Sequence, residues 1–351
     1  MITNIELKSL RRLKHISLNT NHNLIILVGP NAIGKTTILE GIYLASVGAS
    51  FKTKDFKELI RFDDSYAKIT LNNDSNIYNI VLSNSGRKMM INGNPIMKLS
   101  DYIGHFQTVL FSPSDINIIK GEKSLRRNLF DLEISLRKKN YLKLVQNYKK
   151  LLKKRNDLLK LQSIDEVLLK TITTHMNEFQ KLILEYREKM VGLLNEEFKS
   201  LVNILGYDEL IKIKYISSLP KDDLDAFYDS KLSYDKNVHV TSYGVHRDNY
   251  VFYINDLEAS QYASEGQLRS IVLIFKIALA NLSYKLTNHI PTLLLDDVFS
   301  CLDDRRCSYL VEYLLKQSQA FITTTNIENI PNDLIKKSYI INLKEWILWQ
   351  I

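Results

Sequence analysis

The chain has 351 residues, 45% of them hydrophobic, and a formal net charge of +8, which is room for one large globular domain or two. Its two cysteines, Cys301 and Cys307, exclude a disulfide framework, and neither belongs to a set of His or Cys at metal-ligand spacing. The basic balance admits a polyanionic partner without requiring one. Met1 to Glu6 do not read as a secretory leader. The most apolar stretch, Ile271 to Leu282, is interrupted by Lys276 and is too short to span a bilayer. A soluble chain in a reducing cytoplasm, with no membrane partner, is expected.

The first 120 residues mix short strands and turns. Ile5, Leu7, Ile16 and Leu18 fall in alternating segments, and Leu24 to Val28 is a short apolar run that reads as a buried strand. Gly29-Pro30-Asn31-Ala32-Ile33-Gly34-Lys35-Thr36 follows at once. This is the G-x-x-x-x-G-K-[ST] phosphate-binding loop. Thr37, Ile38, Leu39, Glu40 and Ile42 then start a helical pattern. Strand, glycine loop and helix turn backbone N–H groups toward phosphate oxygens at a helix N-terminus. In that geometry Lys35 reaches the β- and γ-phosphates of ATP and the Thr36 hydroxyl sits on Mg²⁺. The competing reading is a chance match in a strand–turn–helix unit, and a matching acidic strand downstream decides against it. Ala67–Leu71 and Asn76–Leu82 read as strands, Ser85-Gly86 as a turn and Asn92-Gly93 as a hairpin. Thr108–Ser112 is another strand, stopped by Pro113.

From Lys123 to about Leu205 there is no proline and the only glycine is Gly192. Val145, Tyr148, Leu152 and Leu159 recur at helical steps, with Arg155 as an interruption. A second run goes through Leu168, Ile172, Met176, Phe179, Ile183, Tyr186, Met190 and Leu193. Leu161 to Glu166 separates the two runs and carries helix-start residues. The expectation is an antiparallel helical arm whose second helix Gly206 ends. Lys123 to Lys160 holds thirteen Lys or Arg against Asp131, Glu133 and Asp157. That local excess exceeds the charge of the whole chain. Such a run is usually a solvated face. Its nearly uniform sign, through Lys138, Lys139, Lys143, Lys149, Lys150, Lys153 and Lys154, also suits a polyanion that relieves the repulsion. Arg126 and Arg127 either cap the base of the arm or meet phosphate.

Strands are expected again at Leu210–Ile216, Val238–Ser242 and Tyr250–Ile254. Ser264-Glu265-Gly266-Gln267 opens a helix, where unpaired N–H groups make an anion site or simply an N-cap. Pro291 to Asp297 is an apolar strand ending in two carboxylates. Asp296 is placed to bind Mg²⁺, and Asp297 to orient or deprotonate water. The pair could instead begin the following turn. Ser300-Cys301-Leu302-Asp303 starts another capped helix, and Ala320–Thr325 is a last strand.

The order of these pieces is that of an ABC ATPase head interrupted by a coiled coil, and the chain resembles the RecF family in the SMC-like branch. The likeness runs from end to end. It takes in Leu7 to Arg12, Glu40 to Leu44, Ser50 to Thr53, Phe111 to Asp115, Lys120-Gly121 with Arg126-Arg127, and Tyr243-Gly244-Val245-His246-Arg247-Asp248. The resemblance implies an α/β ABC-type P-loop head (1–121 and 207–351) with an inserted helical arm (122–206). It implies an ATP site at Gly29–Thr37, Mg²⁺ at Thr36 and Asp296, and catalytic Asp297. Ser264, Glu265, Gly266 and Gln267 would act as a signature reaching ATP in a second copy, and Ser300, Leu302 and Asp303 as a D-loop. The implied protein is an ATP-gated homodimer with weak, DNA-stimulated ATPase activity. It binds duplex or gapped DNA and helps RecR- and RecO-type mediators load recombinase. The role of His246, Arg247 and Asp248 does not follow from the residues.

This sequence departs from the family pattern in places. Ala32 stands where the family usually has glycine, and it fits only if φ is negative or strain is tolerated. Lys52 replaces Arg, and Val245 replaces Pro. Gln107 is near the place of a Q-loop glutamine without matching it, and Thr325-Asn326 occupies the place of a switch histidine. Two other readings are a transporter's nucleotide-binding subunit, which the long basic insertion disfavours, and a small-molecule kinase, which leaves S-x-G-Q and S-x-L-D without a use.

Overall fold

The computed structural model describes residues 1–205, 209–302, 304–316 and 319–344. They form two compact units, Met1–Asp115 with Val272–Ile351, and Ile116–Ile271.

The first unit carries two sheets. Strands β1 (Ile2–Leu10), β2 (Leu13–Asn19), β4 (Tyr66–Asn73), β5 (Ile77–Ser83), β6 (Gly86–Ile91) and β7 (Asn94–Ile96) make an antiparallel sheet in the order β2-β1-β4-β5-β6-β7. Ile5, Leu7, Ile16 and Leu18 face its core, as their alternation predicts. Asn92 and Gly93 both have positive φ, 53° and 79°, the backbone that a two-residue hairpin needs. The second sheet contains β3 (Leu24–Val28), β8 (Thr108–Phe111), β12 (Thr292–Asp296), β13 (Ala320–Thr324) and β14 (Tyr339–Asn342). Its order is β14-β3-β13-β12-β8 and every pairing is parallel. Parallel strands are covered on both faces, so they read as continuous apolar runs.

Helix α1 (Lys35–Val47) touches β1, β4 and β5 as well as β8, β12 and β13. Ile38, Leu39 and Ile42 are fully buried, each side chain contributing about 1.5–3 kcal/mol of apolar burial. The short helices α2 (Leu99–Tyr102) and α11 (Asn332–Ile335), the helix α10 (Asp304–Leu314) and, from Val272 on, the helix α9 (Glu265–Thr287) also belong to this unit.

The second unit holds α3 (Asn117–Lys120), α4 (Lys123–Arg137), α5 (Lys139–Leu159), α6 (Glu166–Leu205), α7 (Leu224–Val238), α8 (Ala259–Tyr262) and the antiparallel sheet β11-β10-β9. These strands are β9 (Ile211–Ile216), β10 (Asn249–Ile254) and β11 (Leu257–Glu258). The unit is longer than the 122–206 insertion read from the sequence, because α6 packs on β9 and α7 and α4 packs on β10. Gly206, the expected end of the second helix, lies outside the described residues.

Three expectations change. Val238–Ser242 is not a strand: it is the end of α7 and a loop. Helix α7 starts where the Asp223 carboxylate accepts from the Ala226 N–H at 3.0 Å, and His239 ends it at φ 54°. Leu224, Tyr228 and Asp235 are its buried residues, and a polar residue among three hides the helical period. Arg155 is not an interruption. It sits in the α5 seam with Tyr141, Val145, Tyr148 and Leu159, 1% exposed. It donates to Asp235 at 2.8 Å, Thr241 at 2.7 Å and Thr173 at 3.0 Å. Finally, α9 (Glu265–Thr287) has 23 residues, long and apolar enough to cross a membrane by length and composition, and 67% of its most apolar 18 residues is buried in the protein. Lys276 within it is buried and pairs with Asp115 at 3.1 Å.

Candidate nucleotide site

The phosphate loop joins β3 to α1, and the acid pair ends β12. Strand β13 lies between them, with Thr323 beside Asp296 on one side and Leu27 on the other. All three strands are parallel, so their carboxyl ends open on one edge, where a parallel sheet binds its ligand. The Thr36 hydroxyl donates to Asp296 Oδ1 at 2.8 Å. Thr323 donates to the same oxygen at 3.0 Å and accepts from the Asp297 N–H at 3.0 Å. Residues 260 positions apart thus meet across one strand. The cavity here measures about 570 Å³.

Helix α1 has no side-chain cap and no acidic residue in its first turn, so its first N–H groups are left for an anion. Gly34 is required twice over: its φ is 113°, and a Cβ would come within 2.7 Å of Leu13 Cδ2. Lys35, 7% exposed, donates to the carbonyls of Gly29 and Pro30 at 2.5 and 2.9 Å. Burial lowers its pKa below the ordinary lysine value, opposed by Asp297 and then Asp296. Asp297 Oδ1 is buried and has no hydrogen-bond partner among the described residues. An orphaned carboxylate oxygen beside Asp296 and a threonine hydroxyl is an all-oxygen donor set. It fits Mg²⁺, which takes one or two carboxylates together with substrate phosphates.

Ala32 has φ 63°, so the loop tolerates the strain instead of avoiding it. A left-handed alanine costs roughly 1–2 kcal/mol, and glycine gives back about 0.5–1 in lost chain freedom. Ala32→Gly is therefore expected to stabilise the protein by about 0.5–1 kcal/mol in urea unfolding, the reverse of an ordinary Ala→Gly change. A lower midpoint would contradict the strain.

Sequence reasoning did not single out Thr323, Arg11, Arg12 or Glu58, which line the cavity with Lys52 and Thr325. Their segments come from three separate parts of the chain. Thr323 carried a signal only as the carboxyl end of an apolar strand. Gln107 is buried at the amino end of β8, where its carbonyl accepts from the Thr292 N–H at 3.0 Å. That is the opposite edge of the sheet from Asp296, so Gln107 has no place in the cavity.

The remaining candidates lie elsewhere. Ser264 and Gln267 form a reciprocal capping box at the start of α9: the Ser264 N–H donates to Gln267 Oε1 at 2.9 Å and the Gln267 N–H to Ser264 Oγ at 3.2 Å. Glu265 is exposed and Gly266 half-buried. Ser300 Oγ donates to the Asp297 carbonyl at 2.7 Å, and Leu302 is half-buried; Asp303 lies outside the described residues. Lys138, Lys139, Lys149, Lys150, Lys153 and Lys154 are exposed, but not on one helix, since Lys138 is the break between α4 and α5. Arg126 leaves the set of nucleic-acid candidates. It is 8% exposed and donates to the carbonyls of Ile118, Ile119 and Gly121 and to Asn249. Arg127 spends one N–H on the Asp248 carbonyl at 2.9 Å.

The His246-Arg247-Asp248 turn is not closed by its own ion pair. Asp248 pairs with Arg187 at 3.0 Å and accepts from the Tyr215 hydroxyl and the Ser218 N–H. His246 Nε2 faces the Thr241 carbonyl at 3.1 Å, so it carries the proton, and Nδ1 accepts from Tyr148 at 2.5 Å. Gly244 has φ 139°, and a Cβ there would meet Tyr148 Oη at 2.6 Å. Only Arg247 is exposed. Burial, against the raising effect of the Thr241 carbonyl, brings the His246 pKa from 6.5 to about 4. The unfolded chain then binds more protons between these values. Stability is complete above pH 6.5 and falls by about 3 kcal/mol as pH drops to about 4. A His246→Gln variant is expected to lose that part of the slope in denaturant titrations across this range, and an unchanged slope would contradict it.

The family described as the RecF/RecN/SMC N terminal domain matches residues 1–338. A Lactobacillus johnsonii protein named DNA replication and repair protein RecF is 36% identical, over 96% of this chain and 95% of that one. An Acholeplasma laidlawii protein of the same name is 35% identical, over 92% and 93%. A solved structure titled as the recombination mediator protein RecF-ATPrS in the RecFOR pathway superimposes with a TM-score of 0.87 at 29% identity, covering 98% of this chain and 96% of that one. The head domain of an Smc from Pyrococcus furiosus aligns with a TM-score of 0.54 at 16% identity, over 99% and 98%, a likeness of fold alone.

Proposed function

The chain belongs to the RecF/RecN/SMC family, among the DNA replication and repair proteins named RecF, and from that premise we propose that it is an ATP-dependent DNA-binding protein of replication and recombinational repair. The observation that carries the reading is the 2.8 Å bond from Thr36 to Asp296, which puts the phosphate loop and the acid strand in one cavity. ATP is the substrate there. Lys35 and the first N–H groups of α1 hold its phosphates, and Thr36 and Asp296 would hold Mg²⁺. A bound Mg²⁺ supplies charge neutralisation at the phosphate oxygens. The unpartnered Oδ1 of Asp297 orients the attacking water. Hydrolysis is slow and DNA-stimulated.

Ser264 and the backbone at Gly266 act on the nucleotide of a second copy, so ATP closes a homodimer. Losing the γ-phosphate removes the bridging acceptor and releases it. The exposed lysines of α5 meet the backbone phosphates of duplex or gapped DNA. The complex works in the cytoplasm with RecR- and RecO-type mediators that load recombinase. Light scattering tests the gate: a dimer is expected with ATP, Mg²⁺ and DNA, and a monomer without ATP. A monomer under saturating ATP would refute it.

A further inference from the structure

Glu40 is fully buried on α1, little more than a turn beyond the phosphate loop, and the proposed chemistry gives it no part. It holds Arg11 by a two-bond fork, Nε to Oε2 at 2.5 Å and Nη2 to Oε1 at 2.9 Å. The Ser50 hydroxyl donates to Oε1 of the same carboxylate. Ser50 Oγ in turn accepts from the N–H groups of Lys52 at 2.9 Å and Thr53 at 3.2 Å. One buried carboxylate therefore ties two separate segments to the helix that starts at Lys35. The first is the end of β1 and the turn that follows it, where Ser9 and Arg11 have φ 55° and 52°. The second is the loop at 50–53. Arg11, Arg12 and Lys52 all line the nucleotide cavity.

We infer that Glu40 is a positioning residue for nucleotide binding: it sets the Arg11–Arg12 turn and the Lys52 loop at the cavity and acts through them, without touching the ligand. Three features fit this role. A carboxylate can take the fork and the hydroxyl together, while a neutral amide offers one acceptor oxygen. The two-bond fork also fixes the plane of the Arg11 guanidinium. Finally, Arg11 keeps Nη1 outside the fork. Gly41, next in sequence, lets α1 approach β1 closely, since a Cβ there would stand 2.6 Å from Leu7 Cδ2.

The inference rests on the ATP reading, and the test separates the two. ATP affinity is measured with a fluorescent ATP analogue for the full chain, Lys35→Met, Glu40→Gln, Arg11→Met and the Glu40→Gln/Arg11→Met pair. Thermal melts without nucleotide are recorded alongside. Glu40→Gln is expected to weaken binding about tenfold and to cost less in an Arg11→Met background than in the unmodified chain, because one of the two segments through which Glu40 acts is then already lost. Wild-type affinity in Glu40→Gln, or losses that add, would overturn the inference. A purely structural Glu40 would shift the melt and leave affinity, measured far below it, unchanged. If Glu40→Gln does not fold, Ser50→Ala decides: it releases only the Lys52 loop, and its loss must be absent from a Lys52→Met background. Failure of the ATP reading looks different, since the unmodified chain and Lys35→Met would then bind the analogue alike.

Discussion

Lys35→Met is expected to abolish ATP binding, by at least about a hundredfold, while leaving the chain folded. Lys35 is 7% exposed, its ammonium is bonded to two loop carbonyls, and burial already works against its charge. Methionine keeps most of the stem and removes a desolvated cation, so the stability of the nucleotide-free protein changes little. What is lost is the positive charge that offsets the ligand's phosphates in a cavity holding Asp296 and Asp297. Calorimetric titration with ATP and Mg²⁺ measures the loss, and circular dichroism checks the fold. Undiminished binding would remove the loop from the site.

The largest stability effect is expected at Arg187. The residue is 2% exposed, and its guanidinium donates to Asp131 at 2.9 Å, to Asp248 at 3.0 Å and to the Val245 carbonyl at 2.7 Å. The Tyr141 hydroxyl joins the same cluster, donating to Asp131 at 2.6 Å. Helices α4, α5 and α6 and the His246–Asp248 turn therefore share one cation. Arg187→Met strands the Asp248 carboxylate, which has no solvent exposure on its side chain, and should cost about 3–5 kcal/mol. Adding Asp248→Asn to it should recover part of that loss, because the cost is an uncompensated charge more than a missing contact. Urea unfolding of the two variants decides it. A double variant less stable than Arg187→Met would contradict the charge argument.

The local signals were strong where the backbone itself makes the site. Gly29 to Thr36 needs only a strand before it and a helix after it, and Asp296-Asp297 needs only to end a strand. The hairpin at Asn92-Gly93 follows from its residues alone, because φ > 0 is a local property. The α5 and α6 helices were legible from their spacing, and so was most of their buried faces, where Val145, Tyr148, Leu159, Ile172, Met176, Ile183 and Met190 lie; the start of α6 was not. Leu168 is 44% exposed and Leu169 is 2% exposed, since α6 packs against α5, α7 and β9, a wider contact than one seam.

By itself, then, the sequence determined the phosphate loop, the acid strand, the order of the elements and, through them, the α/β class. These are encoded in runs of neighbouring residues. Only the tertiary structure decided that β13 stands between β3 and β12, so that Thr323 binds Asp296. It also decided that Ala32 is left-handed, that Arg126 and Arg155 are spent inside the fold, and that Glu40 gathers Arg11 and Ser50. A charged residue looks the same in sequence whether water or a buried carboxylate is its partner. The partner is chosen by contacts between distant segments, and burial makes each such choice costly to reverse.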